Sequence, residues 1–186
     1  MIPSRLHLRQ AFAALAAGGV IACPTEAVWG LSCDPGDEHA VRRLLALKQR
    51  PLRKGLILVA AGQGQLEFLL HDLPDQQRQQ LSASWPGPTT WLVPHRGRVP
   101  HWVHGEHDTV AVRVSGHPVV TALCLAWGGP LVSSSANRAG AQPPRAAFQV
   151  RRYFDGRLDY ILPGAVGTST RPSVIRDLAS GQIIRA

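Results

Sequence analysis

Lys48-Gln49-Arg50-Pro51-Leu52-Arg53-Lys54-Gly55 sets four cations within seven residues, with no acid among them. The stretch joins two patterns of different period. Before it, Ala40, Val41, Leu44, Leu45 and Leu47 keep the three-four spacing of a helix buried on one face, with Arg42 and Arg43 outward. Asp37 is placed to cap that helix, with Glu38 in its first turn. Pro51 keeps Arg50 out of helical geometry, so the helix ends near Lys48. After the stretch, Leu56-Ile57-Leu58-Val59-Ala60 is a bare apolar run, the pattern of a central strand. Helix, basic loop and buried strand make one α/β unit, with its charge where a ligand would meet it. Of the 20 Lys plus Arg residues, the only lysines are Lys48 and Lys54. Lys is a compact point charge and Arg a planar fork, so lysines kept here suit an anion such as phosphate. Solvated surface charge, helped by the helix's negative end, is the competing reading. On the anion reading, the Lys48 ammonium leaves the helix free to reach into a cleft and contributes little to stability.

Outward from this unit, strands and helices alternate. A helix carrying Leu6, Phe12 and Leu15 closes at Gly18-Gly19 and leads into a strand, Val20 to Cys23. Pro24 stops that strand, and Thr25 and Glu26 project from its carboxyl end, where ligands of open α/β sheets sit. Trp29 beside Gly30 reads as core, or as a wall for a ring. Leu66 to Leu70 and Pro74 to Ala83 are helical, and rigid Trp85-Pro86-Gly87-Pro88 leads to a strand, Thr90 to Val93. In Thr109-Val110-Ala111-Val112-Arg113-Val114 the valines face one way and Thr109, Ala111 and Arg113 the other. Arg113 then needs an anion, either a substrate carboxylate or a structural acid. Pro118 to Trp127 is a helix, and the strand Pro130 to Val132 ends in Ser133-Ser134-Ser135-Ala136-Asn137, an uncharged set of donors and acceptors. A helix, Arg145 to Phe154, precedes closing strands Asp159 to Leu162, Ser173 to Asp177 and Gln182 to Arg185, with Gly164 to Pro172 a small, polar, mobile loop.

Length and composition fit one globular domain, 1–186, with 45% hydrophobic and 17% charged residues. A net charge of +8 points to polyanionic partners. Three cysteines without a Cys-x-x-Cys give neither a disulfide framework nor a zinc knuckle, which fits a reducing cytosol. No run is apolar enough to span a membrane. His101, His104 and His107 match no zinc signature, and no metal is expected there. The phosphate-loop, dinucleotide, nucleophile-elbow and zinc-protease motifs are all missing.

Five segments in this order, Pro24 to Leu31, Lys48 to Pro51, Trp85 to Pro88, Val112 to Val114 and Ser133 to Asn137, resemble the YrdC family of threonylcarbamoyl-AMP synthases. The similarity runs from about Ala13 to Arg185 and is closest to the short bacterial type. Trp29 stands where Tyr or Phe is commoner, and Pro172-Ser173-Val174 where Pro-Ser-Thr is frequent. The resemblance implies an α/β fold, a twisted mixed sheet with flanking helices around a deep basic cleft. It implies that L-threonine, bicarbonate or CO2 and ATP, with Mg²⁺ on the nucleotide, give threonylcarbamoyl-AMP and pyrophosphate in the cytoplasm. The product feeds threonylcarbamoyl modification of adenosine 37 in tRNA, through the proteins of that transfer machinery. By motif, Thr25, Arg113, Ser133 and Ser173 face threonine. Lys48, Arg50, Lys54, Thr109, Ser135, Asn137 and Arg185 face ATP, with Lys48 and Arg50 catalytic.

The chemistry asked of these residues is electrostatic. Threonine carbamate and ATP repel each other, and a cation about 4 Å from a phosphate gives roughly 4 kcal/mol at an effective dielectric of 20, before desolvation. Two other readings fit the same charge: a non-catalytic RNA-binding module, supported by five tryptophans and the +8 charge, and another carbamoyl-adenylating enzyme with the same cleft.

Overall fold

The computed structural model describes residues 3–185. Its strands are β1 (Ile21–Pro24), β2 (Trp29–Ser32), β3 (Ile57–Ala60), β4 (Thr89–Pro94), β5 (Thr109–Val114), β6 (Leu131–Ser135), β7 (Tyr160–Ile161), β8 (Val174–Asp177) and β9 (Ile183–Arg185). The helices are α1 (Arg5–Ala16), α2 (Glu38–Lys48), α3 (Glu67–Leu70), α4 (Asp75–Ser84), α5 (His101–His104), α6 (Pro118–Trp127) and α7 (Ala147–Phe154). One mixed sheet runs in the order β7-β1-β2-β6-β3-β5-β4-β8-β9. The apolar run before Gly62 is central, with β3 antiparallel to β6 on one side and parallel to β5 on the other.

Strand alternation sorts the core into two layers. Ala22, Leu58, Val110, Val112, Val114 and Val132 meet α2, α4 and α7 on one face. Ile21, Cys23, Val59 and Leu131 meet α1 and α6 on the other. The two helices of the second layer cover only one end of that face. Beyond them the rungs Ser133–Ile57–Ala111–Leu92 lie open and floor a cavity.

Helix ends follow the local chemistry. Asp37 Oδ1 accepts from the Ala40 amide at 3.1 Å, and α2 ends on Gln49 in the left-handed region. α6 starts on a proline and ends on left-handed Gly128. Asp37→Ala is expected to cost about 1 kcal/mol, a melting drop of about 2–4 °C. Thermal melts measure it, and an unchanged melt would remove the cap as a determinant of α2.

Two expectations change. Trp29 to Ser32 is a strand, β2, not foreseen as one, forming a hairpin with β1 whose last rung pairs Pro24 with Trp29, so the ladder stops at Pro24. β2 is buried on both faces, and Trp29 is core. Segment 164–172 is tethered at three points. The Gly167 amide donates to Thr25 O at 2.9 Å, His117 Nε2 lies 3.1 Å from Ala165 O, and Arg145 Nη1 reaches Ser169 O at 3.4 Å. Gly167 is required there, because a Cβ would lie 2.8 Å from Glu26 O. No helix among the described residues is long and apolar enough to cross a membrane.

Candidate active site

The open part of the sheet forms a cavity of about 500 Å³, the size class of small-ligand sites. Its walls come from the β1–β2 turn, the exit of α2, β5, the carboxyl end of β6 and the segments around β8 and β9. All eleven residues singled out in the sequence line it: Thr25, Lys48, Arg50, Lys54, Thr109, Arg113, Ser133, Ser135, Asn137, Ser173 and Arg185. They are drawn from positions up to 160 residues apart in the chain and meet on one surface.

Lys48 is not the free helix-exit cation expected. It is 5% exposed, and its ammonium donates to the carbonyls of Ser135 and, at 2.9 Å, Asn137. The Lys48 carbonyl accepts from the Ala139 amide at 3.0 Å. Lys48 therefore pins the turn after β6 to the end of α2. Burial, with Arg50 second, pushes its pKa down from 10.5 to about 8. Arg50 turns back on its own loop. Its Nη2 donates to Gly55 O at 2.9 Å and Lys54 O at 3.2 Å, closing a 3-10 turn over Leu52–Lys54. Gly55 has φ 59°, and a Cβ there would meet His104 O at 2.8 Å, so the loop seats directly on α5.

The cations are coupled across the cavity. Burial and then Arg185 hold Arg50 below its ordinary pKa; burial and then Arg113 do the same for Arg185. Arginine keeps its proton throughout, so these shifts register repulsion that an anion would relieve. Seven cationic side chains line the cavity, the seven being Lys48, Arg50, Lys54, Arg113, Arg138, Arg171 and Arg185; Glu26 is the only carboxylate among the described lining residues. Arg113 has a structural acid partner: its Nη2 donates to Glu26 Oε2 at 3.0 Å, with the side chains 9% and 15% exposed. Its Nε is buried with no partner.

The hydroxyls are partly committed. Thr25 Oγ1 donates to Val28 O at 2.7 Å, leaving it free to accept. Thr90 Oγ1 donates to Ser173 Oγ at 2.9 Å, leaving Ser173 free to donate. Arg185 Nη2 holds Ser173 O at 3.0 Å. Asn137 spends its amide on Arg138 O and Ala141 O, and its Oδ1 is buried without a partner. Burial pushes up the thiols of Cys23, Cys33 and Cys124, so none is an activated nucleophile.

Arg138 and Arg171 line the site without having been picked out; Glu26, placed at the ligand end of its strand but given no role, lines it too, as do His104 and His107, weighed only as metal ligands. Arg138 and Arg171 adjoin chosen segments, and that adjacency was the available signal. The two histidines carried none beyond the His-rich segment.

Lys48 gives the site a pH signature. An anion beside it favours the ammonium, so binding raises its pKa and takes up a proton when the pH is near or above 8. The sign for the empty protein follows. The unfolded chain holds this proton to about pH 10.4. Between pH about 8 and that value the unfolded state binds more protons, so stability rises with pH across the window. Calorimetry of nucleotide binding in buffers of different ionisation enthalpy should show uptake growing from pH 7 to 9. Uptake that stays at zero would place the anion away from Lys48.

A family model named Sua5/YciO/YrdC, described as telomere recombination, matches residues 13–186. The threonylcarbamoyl-AMP synthase of Stutzerimonas stutzeri is 57% identical over 179 residues, 96% of this chain and 96% of its own. Among solved structures, P. abyssi Sua5 complexed with L-threonine matches with a TM-score of 0.86 at 34% identity, over 92% of this chain. The match covers 51% of that protein, so this chain spans about half its length. E. coli YciO matches with a TM-score of 0.87 at 23% identity, over 98% of this chain and 90% of its own, a likeness of fold.

Proposed function

Because the chain belongs to the Sua5/YciO/YrdC family, we propose that it is a threonylcarbamoyl-AMP synthase, converting L-threonine, bicarbonate or CO2 and ATP to threonylcarbamoyl-AMP and pyrophosphate. The convergence of the eleven motif residues on one cation-lined cavity carries this reading.

The reaction joins the threonine amine to CO2 as a carbamate. A carbamate oxygen then bonds to the α-phosphorus of ATP, and the bond from that phosphorus to the pyrophosphate oxygen breaks. Each partner is an anion, so positioning and charge neutralisation do the catalysis. Lys48 and Arg50 sit where the triphosphate meets the exit of α2, with Lys54 and Arg185 beside them and Thr109, Ser135 and Asn137 supplying hydrogen bonds. Thr25, Ser133 and Ser173 face the threonine side chain, and Arg113 faces its carboxylate. The residues present do not fit a protein-held metal. Glu26 is engaged by Arg113, and no group of three or more His, Cys, Asp or Glu among the described residues could hold an ion. Mg²⁺ therefore enters with ATP, as part of the substrate. The product, a mixed anhydride, passes to the proteins that modify adenosine 37 of tRNA in the cytoplasm. The +8 charge gives the protein a surface for tRNA itself.

Mass spectrometry of protein, ATP, L-threonine and bicarbonate should show the AMP-linked product and pyrophosphate appearing together, both dependent on threonine and bicarbonate. ADP and phosphate as the main products would overturn the reading.

Arg113→Lys keeps the charge and loses the fork. The KM for threonine should rise about 10-fold or more, on the scale of one charged hydrogen bond, with the KM for ATP nearly unchanged. Equal loss for both substrates, with a lower melting temperature, would leave Arg113 as Glu26's structural partner alone.

A further inference from the structure

A cavity that gathers anions contains one carboxylate, and its presence there needs a reason. Glu26 is held firmly. Oε1 accepts from the Ser115 hydroxyl at 2.7 Å and the Gly116 amide at 3.2 Å; Oε2 accepts from Arg113 Nη2 at 3.0 Å. Ser115 is fixed in turn, because its Oγ accepts from the His117 amide at 3.1 Å. A carboxylate offers about four acceptor positions. Three are filled, and the remaining one is on Oε2, the oxygen shared with Arg113. On the other side of the pair, Arg113 Nε is a buried donor without an acceptor. The ion pair thus keeps one unused acceptor on Glu26 and one unused, buried donor on Arg113.

Neutralising Arg113 alone does not explain this arrangement. The neighbouring cations Lys48, Arg50 and Arg185 have no carboxylate partner among the salt bridges of the described residues, and they stay mutually repelled. The acid stands only beside the arginine assigned to the amino acid. Of the three substrates, only the amino acid brings a positive group. We propose that Glu26 binds the α-ammonium of the incoming amino acid, so that Glu26 and Arg113 together form a receptor for a zwitterion. The proposal rests on the reading that L-threonine is a substrate with its carboxylate at Arg113. It adds the partner for the other half of the head group. It also orients the amino acid by sign, with its ammonium drawn to Glu26 and its carboxylate to Arg113.

The test uses two probes, L-threonine and its α-hydroxy analogue 2,3-dihydroxybutanoate, in which a neutral hydroxyl replaces the ammonium. Affinities are measured by calorimetry on the unaltered protein and on Glu26→Gln, which keeps an acceptor for Ser115 and Gly116 and loses the charge. The unaltered protein should prefer threonine by about 10- to 100-fold, the scale of one charged hydrogen bond. In Glu26→Gln, threonine should weaken by a similar factor and the hydroxy acid by less than about 3-fold, so the preference collapses. Equal weakening of both probes would make Glu26 a positioning residue for Arg113 and overturn the proposal. Unchanged threonine binding would overturn it as well. If Glu26→Gln does not fold, the unaltered protein still decides, because equal affinity for the two probes leaves no ammonium site. Failure of the underlying reading looks different: the unaltered protein then binds neither probe while still binding ATP.

Discussion

Valine is expected to be a substrate about 10⁴-fold poorer than L-threonine in kcat/KM, while serine falls only about 10–200-fold. The difference comes from what each analogue leaves behind. Valine keeps the branched shape and loses the hydroxyl; serine keeps the hydroxyl and loses a methyl. Thr25 Oγ1 already donates to Val28 O and can only accept, whereas Ser173, fed by Thr90, has its proton to give. Thr25 and Ser173 are each about 8% exposed, so groups left unpaired there have little water to turn to. Ser133 adds a third hydroxyl close to Thr25. A Cβ on Gly30 would lie 3.2 Å from Thr25 Cγ2 and 3.8 Å from Ser133 Oγ, so the absent side chain of Gly30 leaves room between them. A missing methyl creates only a small void, worth about 1–3 kcal/mol. Product formation followed with each amino acid in turn measures the ratio. Comparable rates with valine and threonine would remove Thr25, Ser133 and Ser173 from the substrate pocket.

Lys48→Ala is expected to lower kcat/KM for ATP by at least about 100-fold and the melting temperature by about 4–8 °C. The two effects have separate causes. The first is loss of the cation proposed to neutralise the phosphates, together with release of the turn carrying Ser135 and Asn137, which its ammonium holds; a misplacement near 1 Å can cost about 100-fold. The second is loss of a donor to two carbonyls, of which Ser135 O keeps the Asn137 amide at 2.9 Å and Asn137 O is left with none, at about 1–3 kcal/mol for a buried group, offset partly by removing a desolvated charge. Lys48→Arg keeps the charge but not the shape. Its fork is too large for a pocket 5% open that closes on two carbonyls, and activity should fall nearly as far as in Lys48→Ala. Lys54→Arg is the control, since Lys54 is exposed and its side chain makes no hydrogen bond among the described residues. Steady-state assays with ATP varied, paired with melts, read both effects. Wild-type activity in Lys48→Arg would mean that the two lysines are an accident of composition.

Legibility in the sequence tracked the range of the interactions. The two ends of α2 were readable because Asp37 and Glu38 at its start and Pro51 after its exit act within a turn of themselves. The facing of Thr109, Ala111 and Arg113 was readable because strand alternation is a local rule. β2 was missed because Trp29-Gly30-Leu31-Ser32 is buried on both sides, so its four residues show no alternation. The burial of Lys48 could not be read at all, since its partners lie 87 and 89 residues away. The same holds for Glu26, whose bond to Arg113 spans 87 residues. Types of residue at the site came from the motifs; which groups are already satisfied, and which remain open, came only from the fold.

The chain of repulsion from Lys48 through Arg50 and Arg185 to Arg113 also shapes how this protein answers a screen. Folding brings these charges together with Glu26, on Arg113, as the one carboxylate among the described lining residues, so any polyanion that enters shifts the folding equilibrium by mass action. Sulfate, phosphate and heparin will each raise the melting temperature, and a ranking of compounds by thermal shift will rank them by charge. Discriminating true ligands requires chloride-matched conditions and a neutral competitor.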